Sequence, residues 1–138
     1  MDRQPRLTYV TTAGFPAPKA SSHQVMQMCA AFAAAGALVK LVARRGPEGV
    51  DLFEYYGLPP VFSVESRPWP RLPRAGDLFQ AQSALAEPGR DWLCYTRGQD
   101  LTAPVIALLR GARAAVEAHG RPATGNPNTI CPKPPHCR

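Results

Sequence analysis

An α/β fold is what this sequence predicts: a Rossmann-like open parallel sheet with helices on both faces. Three observations carry the prediction. Short apolar runs rich in β-branched residues recur along the 138-residue chain, and stretches with helical spacing alternate with them. The first such unit, Leu7 to Ala43, passes from strand through helix to strand, which is the right-handed βαβ crossover of a parallel sheet. The 16 prolines concentrate at positions 16–18, 59–73 and 122–135, so loops and joints are expected there.

The elements follow in order. Leu7 to Thr12 (LTYVTT) reads as a buried strand that stops at Ala13-Gly14. From Ser22, the residues Val25, Met28, Cys29, Phe32 and Ala35 fall on one helical face, with Ser21 or Ser22 as N-cap and Gly36 as the stop. Leu38 to Ala43 is the second strand. After Arg44-Arg45-Gly46-Pro47, Val50 to Tyr56 forms a short helix ended by Gly57, and Val61 to Val64 offers a third strand. Residues 67–74, RPWPRLPR, are too proline-rich for a helix or a central strand and read as a stiff connector. Its Arg67, Pro70 and Pro73 also fit the R-x-x-P-x-x-P pattern of polyproline ligands, a pattern that recurs by chance. Asp77 to Ala86 returns to helical spacing. Trp92 to Thr96 is a fourth strand, Leu101 to Leu109 a helix with Pro104 in its first turn, and Ala112 to Ala118 a fifth strand. Residues 1–120 therefore make one domain. Residues 121–138, with five prolines and no periodicity, are expected to be a disordered tail.

Composition narrows the function classes. The net charge of +6 rests on 13 arginines against 3 lysines, a bias suited to bidentate contact with phosphates or carboxylates. The basic residues are dispersed and no aromatic-and-basic strand pattern or helix-turn-helix signature accompanies them, so no nucleic acid is expected. The longest stretch before the tail without charge, proline or glycine is Ala20 to Ala35, short of the roughly 20 apolar residues of a membrane span. The opening MDRQPRLTYVTT has no signal-peptide pattern, and a cytoplasmic location is expected. Cys29 and Cys94 sit in apolar runs and read as buried hydrophobes, while Cys131, His136 and Cys137 match no zinc spacing. No metal and no cofactor are expected.

Ligands of an open parallel sheet bind at the carboxyl ends of its strands, near the point where the winding reverses. Three polar clusters fall at such ends: Gly14, Lys19, Ser21, Ser22 and His23 in the first loop, Thr96-Arg97-Gly98 after the fourth strand, and Glu117-Ala118-His119-Gly120 after the fifth. Gly14 permits close approach of a ligand to backbone, and the following helix mouth suits an anion. A capped helix with a solvated Lys19 is the plain alternative. Gly14 stands alone where G-x-G-x-x-G would be needed, and the loop is not a P-loop, so dehydrogenase and NTPase chemistry are disfavoured. Arg97 can hold an anion, and His119 can position a hydroxyl or assist proton transfer.

Three segments taken together, YVTTAGFPAPKASSHQVMQMCAAFAAAGALVKLVARR (9–45), LCYTRG (93–98) and VEAHG (116–120), resemble the amino-terminal domain of GT-B glycosyltransferases of the family 4 type. Phe15, Pro16, Lys19, Ala20, Gln24, Val25, Met26, Met28 and Ala31 stand where that family's F-P-x-x-K-A-x-x-x-Q-V-M pattern puts them. The resemblance spans about residues 7 to 120 and is weak from 46 to 90. It implies retaining transfer of a sugar from a nucleotide-sugar donor to a sugar or lipid-linked acceptor, in a cleft between two Rossmann-like domains. Carried over, Gly14, Lys19, Ser21 and Ser22 would face the donor phosphates, Arg97 and Glu117 would line the acceptor side, and His119 would be catalytic. After Gly120 the family pattern gives way to the proline-rich tail. The expectation is an incomplete, truncated half-enzyme, inactive alone for want of its donor-binding domain, with peripheral membrane contact compatible with a lipid-linked acceptor. The competing reading is a non-catalytic phosphate- or sugar-binding module.

Overall fold

The computed structural model describes residues 4–47, 49–98 and 100–117. Nine elements alternate along them: β1 (Arg6–Gly14), α1 (Ala20–Ala34), β2 (Leu38–Arg44), α2 (Leu52–Tyr56), β3 (Ser63–Arg67), α3 (Ala75–Leu85), β4 (Trp92–Arg97), α4 (Thr102–Leu109) and β5 (Arg113–Glu117). The five strands form one sheet in the order β3-β2-β1-β4-β5, and every neighbouring pair is parallel. The chain winds outward from β1 to β3 and then restarts at β4 on the other side of β1. That reversal opens a crevice between the carboxyl ends of β1 and β4.

Side chains alternate across the strands, so each face has its own core. One face presents Leu7, Tyr9, Val39 and Leu41 to Val25, Met26 and Cys29 of α1. The other presents Val10, Val42, Trp92 and Cys94 to Phe79 and Ala84 of α3 and to Ala103 and Ala107 of α4. The strands buried on both faces are those written as near-continuous apolar runs, as a parallel sheet requires. α1 stops at Gly36, whose φ of 104° is open to glycine, with Ala37 N–H donating to Phe32 O at 3.1 Å and Gly36 N–H to Ala33 O at 3.0 Å.

At the amino ends of the strands, the buried Glu87 is paired with Arg6 at 3.2 Å and with Lys40, and Lys40 also meets Glu65 at 3.2 Å. Burial alone lowers the Lys40 ammonium pKa, but the Glu87 and Glu65 carboxylates more than offset this and leave it raised. The cluster ties β1, β2 and β3 to the turn after α3.

Two local expectations are corrected. Neither Ser21 nor Ser22 caps α1: the helix begins at Ala20 with Lys19 as N-cap, which makes no side-chain capping bond. The serines fall inside the first turn because the Tyr56 hydroxyl fixes both backbone groups of Ala17 and sets where the chain turns. β3 begins at Ser63, two residues after Val61, because Phe62 first turns into the core against Phe53, ring centroids 4.9 Å apart. The proposed tail 121–138, with Cys131, His136 and Cys137, lies outside the described residues, as does His119.

Candidate functional site

The crevice at the β1 and β4 ends is bounded by the loop Phe15–Lys19 and the mouth of α1. Phe15 is 4% exposed and packs edge-on to the Tyr56 ring at 6.1 Å. The Tyr56 hydroxyl accepts from Ala17 N–H at 2.9 Å and donates to Ala17 O at 3.1 Å, so α2 clamps the loop by its backbone. From below, Gly46 lies so close that a Cβ there would overlap the Phe15 carbonyl oxygen. A proline-bearing loop held at three points is a preorganised wall, with little entropy left to lose on binding.

At the helix mouth, Ser22 and His23 N–H both donate to Lys19 O, at 3.1 and 3.2 Å, which leaves the Ala20 and Ser21 amides without an intrahelical acceptor. Arg97, the last residue of β4, reaches across: Nη1 donates to Ser21 O at 3.2 Å and Nη2 to Gln24 Oε1 at 2.9 Å. These contacts seat a fixed positive charge beside the positive end of the helix dipole. Beneath lies a cavity of about 130 Å³ lined by Thr11, Ala13, Phe15, Ser21, Ser22, Val25, Arg97 and Asp100. Asp100 accepts from Gln80 Nε2 at 3.4 Å, and its carboxyl pKa is raised, chiefly by burial, with hydrogen bonds from Thr12 pulling the other way. The cavity therefore offers donors and positive charge on one side and a carboxylate acceptor on the other. A ligand with both an anionic group and hydroxyls matches that polarity.

A second concavity of about 190 Å³, lined by Arg45, Gly46, Pro47, Val50, Leu52 and Ser66, lies on the far side of Phe15, which borders both.

The structure brings Ser21, Ser22 and Arg97 together in one cavity. Lys19 supplies backbone at the same mouth, and its side chain is exposed. Gly14 ends β1, where a Cβ would meet open space, so packing does not require glycine there. Glu117 ends β5 opposite Arg97 in register, and its carboxylate accepts from the Tyr95 hydroxyl at 3.4 Å. It is at the same sheet edge but does not line the cavity. His23 stacks edge-on against Tyr56 at 4.8 Å. The polyproline pattern is folded into the domain: Arg67 belongs to β3 and pairs with Glu65 at 3.2 Å, and Trp69 rests on Phe79 and under the Arg44 guanidinium. Among the described residues, no group of three or more His, Cys, Asp or Glu side chains is placed to hold a metal, and no helix is long and apolar enough to cross a membrane.

Sequence reasoning missed Asp100, whose signal was an acid shortly after a strand-end glycine, and Tyr56, whose role depends on a contact across 39 residues that no local pattern announces.

The parallel pairing and strand order place the chain in the Rossmann-like α/β class. No family model matches the chain, and no curated protein matches it. Among solved structures it is similar to the C-terminal domain of a hydrogenase from Pyrococcus furiosus, at 14% identity over 85% of this chain and 93% of that one, with a TM-score of 0.49.

Proposed function

We propose that this chain forms the acceptor-side domain of a glycosyltransferase of the GT-B, family 4 type, which passes a sugar from a nucleotide-sugar donor to a sugar or lipid-linked acceptor. The observation that carries the reading is the crevice cavity, where Ser21 and Ser22 at the α1 mouth, Arg97 from β4 and Asp100 converge. A guanidinium beside helix amides takes phosphate oxygens, and a carboxylate accepts from sugar hydroxyls. The cavity is about 130 Å³, below the roughly 300–1,000 Å³ of sites that enclose a whole small ligand. It holds one group, and the nucleotide is held by a second domain facing the same sheet edge. On this reading the catalytic role falls to His119, which follows β5 in sequence and lies outside the described residues. On this reading transfer needs both walls of the cleft, because the orientation of two substrates is worth up to ~7–11 kcal/mol.

The test is shift mapping by nuclear magnetic resonance with hexose phosphates and nucleoside diphosphate sugars. The amides from Ala13 to Val25 and around Arg97 to Leu101 are expected to move, and Arg97→Ala to weaken binding about tenfold, since a hydrogen bond to a charged group contributes roughly 1.5–3 kcal/mol. Shifts that map elsewhere overturn the site. Robust transfer by the isolated chain overturns the half-enzyme reading while leaving the site standing, and binding with no transfer in any two-domain assembly favours the non-catalytic module.

A further inference from the structure

β5 is a lateral edge of the sheet: among the described residues it pairs with β4 on one side and with no strand on the other. Gly98 N–H donates to Glu117 O at 2.9 Å, so the backbone of Glu117 is turned toward β4. Alternation along the strand turns Arg113 and Ala115 the same way and directs the N–H and C=O of Ala114 and Val116 at the open side. Edge strands are ordinarily blunted by proline, by a bulge or by charge placed along the edge. In β5, RAAVE, the charges stand at the two ends with opposite sign, no proline or register shift interrupts the strand, and Val116 is 38% exposed. The other edge differs. β3 is bracketed by Pro60 and Pro68 and carries Glu65 at its centre, which self-pairing would set against the partner's Glu65.

We propose that the open side of β5 pairs antiparallel with β5 of a second copy, about a two-fold axis normal to the sheet at Ala115, so that two sheets join into one. Charge complementarity selects this occupant. In that register Arg113 lies opposite the partner's Glu117, and the two-fold repeats the pair. Ala114 and the partner's Val116 exchange both backbone hydrogen bonds. Arg113 and the partner's Glu117 then fall at the positions between those bonds, where side chains approach most closely. The Tyr95 hydroxyl bonds to Glu117 Oε2 and leaves the carboxylate able to accept from a guanidinium as well. The same axis buries apolar surface. Ala103 and Ala107 of α4 are turned to the sheet, and Thr102 donates to Asp77 of α3 at 2.8 Å. Leu101, Val105 and Leu108 therefore make an exposed stripe on the remaining side of α4. Because α4 lies over β4 and β5, the two copies of α4 flank the seam on one face and run antiparallel. With strands spaced about 4.8 Å their axes fall about 10 Å apart, which is helix-packing distance. Residues 121–138 do not supply the strand instead, since prolines at 122, 127, 132, 134 and 135 interrupt any ladder. The seam runs along the flank of the sheet rather than at the carboxyl ends where the crevice opens, and the inference stands apart from the sugar-transfer reading.

Sedimentation equilibrium of the full chain in reductant tests it, with amide hydrogen exchange and melting curves on every variant. The parent is expected to dimerise as its concentration rises, and exchange at Ala114 and Val116 to slow as the dimer forms. Arg113→Glu and Glu117→Arg each set like charges across the seam and are expected to weaken the dimer about tenfold, since the two-fold doubles each loss. Mixed in equal amounts, the two variants bring opposite charges together at both positions, and a heterodimer of parental strength is expected. A merely structural role of either residue would not produce that rescue. A folded chain that stays monomeric up to millimolar concentration overturns the proposal. So does a dimer that both charge variants leave intact, or one whose mixed variants show no rescue. A dimer that Leu109→Glu disperses while the charge variants do not places the partner on the outer face of α4 and overturns it too.

Discussion

Two glycines of the crevice separate what the fold needs from what a ligand needs. At Gly46 an added methyl would run into the Phe15 carbonyl oxygen, which is backbone in a loop that Tyr56 holds two residues on, at Ala17, and cannot give way cheaply. Overpacking of this kind costs typically about 1–3 kcal/mol. Gly46→Ala is therefore expected to lower the melting midpoint by roughly 4–10 °C and to disturb the loop above it. At Gly14 the same methyl meets open space, so Gly14→Ala is expected to melt like the parent chain. If the first strand-end loop meets a phosphate by its backbone, the Gly14 variant loses ligand affinity without losing stability. Equal melting midpoints for the two variants would refute the packing account, and unchanged ligand affinity in Gly14→Ala would remove Gly14 from the site. Asp100 carries a related tension: burial disfavours its charge, yet it lines a concavity together with Arg97. In the proposed site that carboxylate is the group that accepts from sugar hydroxyls.

At the scale of elements, periodicity was enough wherever the chain itself decides. α1 was legible from Val25, Met28, Cys29 and Phe32, and its end from Gly36, because helical spacing and the glycine stop are both local. The starts were harder. Ser21 and Ser22 look like caps by composition, but tertiary fixation of Ala17 by Tyr56 moves the helix start back to Lys19. β3 shifted because the burial of Phe62 on α2 overrides the apolar run that suggested a strand from Val61. The start of α3 shows the same override most sharply. Arg74 is its N-cap at φ 60° and ψ 39°, the left-handed region, and is the non-glycine residue found at positive φ among the described residues. Nothing in the sequence marks this, since glycine or asparagine would be the expected occupant. The left-handed conformation costs a residue with a Cβ about 1–2 kcal/mol, while glycine loses roughly 0.5–1 kcal/mol through the entropy of the unfolded chain. Arg74→Gly is thus expected to stabilise the protein by about 0.5–1 kcal/mol in denaturant titration. Destabilisation instead would mean that the exposed Arg74 side chain makes up for its own strain.

For the molecule as a whole, the topology was legible because repeated strand–helix alternation allows few arrangements of a parallel sheet. The cavity was not, because it joins Thr11, Ser22, Arg97 and Asp100 through contacts set by three-dimensional packing. The same packing places one cysteine in each layer: Cys29 from α1 on one face of the sheet and Cys94 from β4 in the core of the other. Burial pushes both thiols up to about 12, with the Glu87 carboxylate adding to the shift at Cys94. Since thiolate is the reactive form, the folded protein at pH 8 holds only about one part in ten thousand of either in that form, against a substantial fraction in the open chain, where the pKa is near 8.5. Modification then reports opening, and the two positions report the two layers separately. Both layers rest on β1 and β4, and the strands they share carry the largest buried side chains, Trp92 and Tyr9. That shared support argues for a single cooperative unit. In a chain bearing Cys131→Ser and Cys137→Ser, Cys29 and Cys94 are expected to react with a thiol reagent at one common rate, measured by mass spectrometry of the labelled peptides. That rate is expected to rise in parallel at both sites with added denaturant. Labelling of Cys29 well ahead of Cys94 would show that α1 lifts from the sheet while the α3–α4 layer stays in place, and would divide the domain into two independently stable halves.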